Sequence, residues 1–140
     1  MRTVVQDIDL DVPTDVAFRR WTQFETFPHF MDAIEEVRRI DDTRLHWQAR
    51  IRGRALEWDA VVTERRPWDR VAWRSTSGRL NAGTVTFQRL GAESCRMQVR
   101  IEHESRSVME RIGSALGVDS AQVKRSLEQF KATIERNHVS

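Results

Sequence analysis

The sequence predicts an α+β fold in which a curved antiparallel sheet of about seven strands wraps around a long C-terminal helix, with two short helices after the first strand. Three observations carry this. From about Ile34 the hydrophobic pattern takes period two and keeps it for roughly seventy residues, as strands with one wet and one dry face do. The last third returns to a helical period. Before Ile34 only brief helical patterns occur, so one long helix is left to cover the whole sheet.

Val4 to Val12 reads as the first strand, with Ile8, Leu10 and Val12 on one face and aspartates on the other. Pro13-Thr14-Asp15 stops it and opens a short helix carrying Val16, Ala17 and Trp21. A second helical stretch runs from about Glu25 to Ala33, broken or kinked near Pro28. Leu45, Trp47, Ala49 and Ile51 then alternate with polar residues, as do Leu56, Trp58, Ala60 and Val62. Val71, Trp73 and Ser75, then Val85 and Phe87, then Cys95, Met97, Val99 and Ile101 continue the pattern. Asp41-Asp42, Arg52-Gly53, Pro67-Trp68-Asp69, Ser77-Gly78 and Gly91-Ala92 suit the hairpin turns between them. Ser107 with Glu110, and Asp119 with Gln122, have capping-box spacing on either side of Gly117, which predicts a short helix, a break and a longer helix. In the longer one Val123, Leu127, Phe130 and Ile134 make one apolar stripe.

Seven strands about 4.8 Å apart span about 34 Å, whereas a helix is only about 10–12 Å across. The sheet must therefore curl around the helix with its apolar side concave, leaving space beyond the helix to be filled or kept as a cavity. The inward positions of that face hold Trp47, Trp58, Trp73, Phe87 and Met97, with Ser75 and His103 as rare polar members. Pockets are mostly apolar with a few placed polar groups, so these residues are the candidates for binding a hydrophobic molecule. Read one at a time, an inward aromatic is more often plain core.

The 140 residues suit one domain, 1–140, without repeat or linker. Lys and Arg (23) nearly balance Asp and Glu (21), and the basic residues are interleaved with acids, which argues against nucleic acid as a partner. The lone Cys95 cannot form an internal disulfide, and the N-terminus has neither a signal peptide's apolar run nor a membrane span's length, so a soluble, cytoplasmic protein is expected. Five Trp and six Phe with no Tyr mark a chain rich in large apolar surface. No strand or helix carries a second apolar face.

Several runs of residues resemble the polyketide cyclase/dehydrase branch of the START-related superfamily. They are Trp21 to Met31, Leu45-His46-Trp47, Glu57 to Ala60, Ala72 to Ser75, Gly83 to Phe87 and Phe130-Lys131, in order along nearly the whole chain. The likeness is to small stand-alone bacterial members, which are related to coenzyme Q-binding proteins. It implies a helix-grip fold with a hydrophobic cavity, and as enzymatic alternative an aromatase/cyclase or dehydratase working on a poly-keto chain. A coenzyme Q or lipid chaperone is the third reading.

Cyclase chemistry would need groups able to move protons beside carbonyls. The weak candidates are His103 and Ser75, since Arg74 points outward by parity. His29, His46 and His138 stand in different elements without carboxylate partners at ligand spacing, and no phosphate loop, nucleophile elbow or dinucleotide fingerprint occurs, so neither metal nor cofactor is expected. Phe24, Phe27, Phe30 and Met31 crowd around Pro28. Capping the pocket is the preferred role for them, and transient contact with a bilayer the alternative. With the segment around Gly113 and Gly117, from Val108 to Val118, they are expected to form the lips of the pocket mouth.

Overall fold

The computed structural model describes residues 2–51, 53–78, 81–103 and 120–137. Strand β1 (Arg2–Leu10) is followed by helix α1 (Thr14–Trp21) and a 3₁₀ helix (Phe24–His29). Strands β2 (Ile34–Arg39), β3 (Arg44–Ile51), β4 (Arg54–Arg66), β5 (Arg70–Gly78), β6 (Asn81–Gly91) and β7 (Ser94–His103) come next, and helix α2 (Ser120–Asn137) closes the order. The seven strands form one antiparallel sheet in the order β1-β7-β6-β5-β4-β3-β2. This is the helix-grip arrangement, with β1 and β2 as its edges.

The sheet curls because its ladders are interrupted. β4 and β5 shift register between Asp59 and Ala60 and again between Val62 and Glu64, and β2 shifts against β3 between Ile34 and Glu36. Such bulges bend a strand and increase its twist. Helix α2 lies in the resulting trough and is tied to both edges. Lys131 Nζ donates to the carbonyl of Asp9 at 2.7 Å, and the Asp11 N–H donates to Glu135 at 2.7 Å. On the other side Arg125 pairs with Asp32 at 2.7 Å, and the Asp32 N–H donates to Gln129 at 3.1 Å. The stripe Val123, Leu127, Phe130 and Ile134 is buried along its whole length.

Some boundaries differ from the sequence expectation. β1 ends at Leu10 rather than Val12, because Val12 precedes Pro13 and is buried in the approach to α1 without joining the ladder. Pro28 lies inside the tighter 3₁₀ helix instead of breaking a longer one. Ser77 and Gly78, expected as a turn, belong to β5. The Pro67-Trp68-Asp69 turn forms as expected, closed by Asp69 N–H to the Arg66 carbonyl at 3.0 Å. Trp68 takes φ +66° there, a conformation usually left to glycine. Its ring packs edge-on against Phe18, with centroids 5.5 Å apart, which offsets that cost. The capping box at Ser107, Gly113, Gly117 and the expected lip from Val108 to Val118 lie outside the described residues.

Candidate functional site

Between the N-terminal half of α2 and the concave face of β3, β4 and β5 lies a cavity of about 180 Å³. Period two delivers its floor: Leu45, Trp47 and Ala49 from β3, then Leu56, Trp58, Ala60 and Val62 from β4. Trp47 and Trp58 face each other across the β3–β4 ladder, with parallel rings whose centroids are 6.1 Å apart. Phe24 and Phe27 of the 3₁₀ helix hold Trp47 from the other side, at 6.0 and 5.8 Å. Together with Met31 they form an end wall, and their side chains are buried there rather than presented as a surface patch.

Trp73 supplies a further wall. Its indole Nε1–H donates to Asn81 Oδ1 at 3.3 Å, and the Asn81 backbone N–H donates to Ser75 Oγ at 2.8 Å. Ser75 is thus a buried brace behind Trp73 and is not part of the cavity lining. The polar lining among the described residues consists of Asn81, Gln122 and Ser126, with Gln122 Nε2 donating to Ser126 Oγ at 3.3 Å. No charged side chain lines the cavity among the described residues.

Of the residues singled out from sequence, Trp47, Trp58, Trp73, Phe24, Phe27 and Met31 come together around this space. Phe87 and Met97 lie on the same face but farther along the strands, in the packed core, where Phe87 meets Phe18 edge-on at 5.5 Å. His103 is buried at the end of β7, in register with Asn81 and Arg2, and is outside the lining. Phe30 packs between Phe27 and Phe130, at 5.7 and 5.8 Å, and borders a separate open groove with Arg20, His29 and Arg136. Those two arginines occupy the last turns of α1 and α2, where a helix favours cations without any ligand.

Trp21, Asn81, Gln122 and Ser126 line the cavity and were missed by the strand parity argument. Trp21 sits on the buried face of α1, where its spacing reads equally well as helix packing; its ring meets Phe130 at 5.3 Å. Asn81 begins a strand, and Gln122 and Ser126 flank the apolar stripe of α2, positions to which periodicity assigns no role.

The convex face corrects one expectation. His46 does have carboxylate partners: Nδ1 lies 2.6 Å from Asp59 and Nε2 2.7 Å from Glu57, both on the neighbouring strand. Glu57 and Asp59 are eleven and thirteen positions away in sequence and become neighbours only once β3 and β4 pair. The hydrogen bond to Asp59 raises the imidazole pKa above its ordinary value, partial burial opposes this, and Glu57 adds to it. Each ring nitrogen faces its own carboxylate, and the described residues contain no metal-binding group of three ligands. Elsewhere on this face Arg96 pairs with Asp9 and Arg50 with Glu35, a solvated charge lattice. No helix among the described residues is long and apolar enough to cross a membrane.

Comparison with known proteins agrees with this geometry. Residues 10–131 match the family model described as polyketide cyclase/dehydrase and lipid transport. The chain is 40% identical over 136 residues to an uncharacterised 17.2 kDa protein of Streptomyces lincolnensis, covering 96% of this chain and 91% of that one. In structure it is similar to the Zhui aromatase/cyclase of Streptomyces sp. R1128, with a TM-score of 0.85 at 13% identity over 96% of this chain and 94% of that one. It is also similar to a START superfamily protein of Mycobacterium smegmatis, with a TM-score of 0.79 at 13% identity over 97% and 99%.

Proposed function

Because the chain belongs to the polyketide cyclase/dehydrase and lipid transport family, within the START-related superfamily, we propose that it binds an uncharged, ring-containing hydrophobic molecule in the Trp47, Trp58 and Trp73 cavity. The observation that carries this reading is the chemistry of the wall: among the described residues it is hydrocarbon and indole apart from Asn81, Gln122 and Ser126. An ionised ligand entering such a space would lose its hydration without a partner. A flat neutral ring would instead lie against the Trp faces. The size agrees, since about 180 Å³ slightly exceeds the roughly 150 Å³ that accommodates benzene. The family supports hydrophobic binding or aromatase/cyclase activity in general. The described wall supports binding, because proton transfer beside a carbonyl needs a titratable group within reach and, among the described residues, neither Ser75 nor His103 is in the lining.

Titration with neutral one-, two- and three-ring phenols and quinones, followed by tryptophan emission, tests the reading. Saturable quenching that is weakened in Trp73→Phe with the fold intact is the expected result; unchanged emission across the panel overturns it. Turnover of a poly-β-keto substrate that falls 10²–10⁴-fold in His103→Ala would decide for the enzymatic alternative.

A further inference from the structure

We propose that Gly83 sets the width of the cavity and with it the largest ring system the protein accepts, an inference that rests on the binding function proposed above. Gly83 is in β6, directly opposite Trp73 of β5. It is buried, and its φ is not in the left-handed region, so the backbone conformation does not call for glycine. A glycine inside a strand weakens it and marks a close approach of another group. That group is the Trp73 indole: a Cβ on Gly83 would overlap the ring atoms Cζ2, Cη2 and Cε2. The indole therefore lies flat against the β6 backbone. It leans away from Val62, its cross-strand partner on β4, and leaves the space over Ala60 and Val62 open as lumen.

The ring can move away from a side chain at position 83 only at the expense of its hydrogen bond or of the lumen. Its Nε1–H is held by Asn81, and Asn81 is held by Ser75, so all three are fixed to the same corner of the sheet. Any atom added at Gly83 has to lift the indole into the lumen or break that bond. In a space of about 180 Å³ either response removes room for a ring. Gly83 and Trp73 together act as a gauge, and Ser75 and Asn81 are positioning residues for it.

The gauge is tested by binding curves for one-, two- and three-ring neutral ligands with wild type, Gly83→Ala, Trp73→Phe and the double variant. Gly83→Ala is expected to lose at least tenfold in affinity for the largest ligand the wild type binds, and little for the one-ring compound. Trp73→Phe lacks the benzo ring that meets the new Cβ, so the double variant should regain most of the lost affinity. Trp73→Phe alone should accept a larger ligand than the wild type does. If Gly83→Ala fails to fold, the Trp73→Phe arm decides, and an unshifted size limit there overturns the proposal. A loss in Gly83→Ala that is equal for every ligand, or absent, also overturns it while leaving cavity binding intact. A wild type that binds none of the series instead removes the binding function itself.

Discussion

The concave face has two halves built from the same strands, one sealed and one open. In the sealed half Val71, Val85, Cys95 and Met97 are inaccessible to solvent, and α1 lowers Phe18 onto Phe87 above β6 and β7. In the open half Trp47, Trp58 and Trp73 are larger than any of these, yet they are only partly buried and border empty space. The difference lies in how the side chains stand. Phe18 and Phe87 meet edge to face and fill volume, whereas Trp47 and Trp58 lie parallel to each other and Trp73 lies flat on Gly83. Edge-to-face rings fill the space between them, whereas stacked rings and a ring laid on backbone leave space beside them.

This contrast predicts that removing or adding side-chain atoms costs less beside the open half than in the sealed packing. The largest effect is expected where the halves meet, at Phe130, which is fully buried and touches both Trp21 and Phe30. Phe130→Ala should lower the unfolding free energy by about 3–5 kcal/mol, measured by urea titration. Trp73→Phe, on the cavity wall, should cost less, about 1–2 kcal/mol, because one face of the lost ring packs on Gly83 while the other borders the lumen. A sharper comparison adds volume instead of removing it. Val71→Leu inserts one methylene into the sealed half and should cost about 1–3 kcal/mol. Ala60→Val adds two carbons beside the lumen and should change stability by less than about 1 kcal/mol, while weakening ligand quenching at least tenfold. Equal costs for the two additions would mean that both halves are packed alike.

Much of this was legible in the sequence because period two is a backbone property. The alternation through Leu45 to Ala49 and Leu56 to Val62 gave the floor of the cavity, and the first two members of the α2 stripe, Val123 and Leu127, gave its roof. Parity says which face a residue occupies but not how far along the strand it lies, so Phe87 and Met97 read the same as Trp73 although they sit in the sealed half. Asn81 and Ser75 belong to the site through one backbone-to-hydroxyl bond across the β5–β6 hairpin, which no periodicity encodes. Periodicity assigns Gly83 no role; its part follows from its register partner, Trp73. The same holds for His46, whose carboxylates become neighbours only by strand pairing.

That histidine provides the smallest and most selective test of the two halves. His46 and Asp59 pair on the convex side of the open half, next to the Trp47–Trp58 pair on the concave side. Because folding raises the His46 pKa above its ordinary value of about 6.5, the protonated ring contributes stability that is fully present below that pH. The contribution is lost as pH rises through the folded pKa. Asp59 is shifted the opposite way, chiefly by its hydrogen bond to His46, so its share is present above about 3.8 and is lost as pH falls through the folded value. The pair therefore acts at full strength between those limits. Glu57 is mostly exposed and Asp59 partly so, which limits the gain to under about 1 kcal/mol. Unfolding free energies measured from pH 5.5 to 8.5 should fall more steeply for the wild type than for His46→Gln. Over the same range amide protection factors, which remove the intrinsic pH dependence of exchange, should fall in β3 and β4 and stay constant in β6 and β7. Parallel pH profiles for the two proteins, or a loss of protection spread evenly over the sheet, would show that the convex charges do not hold the open half in place.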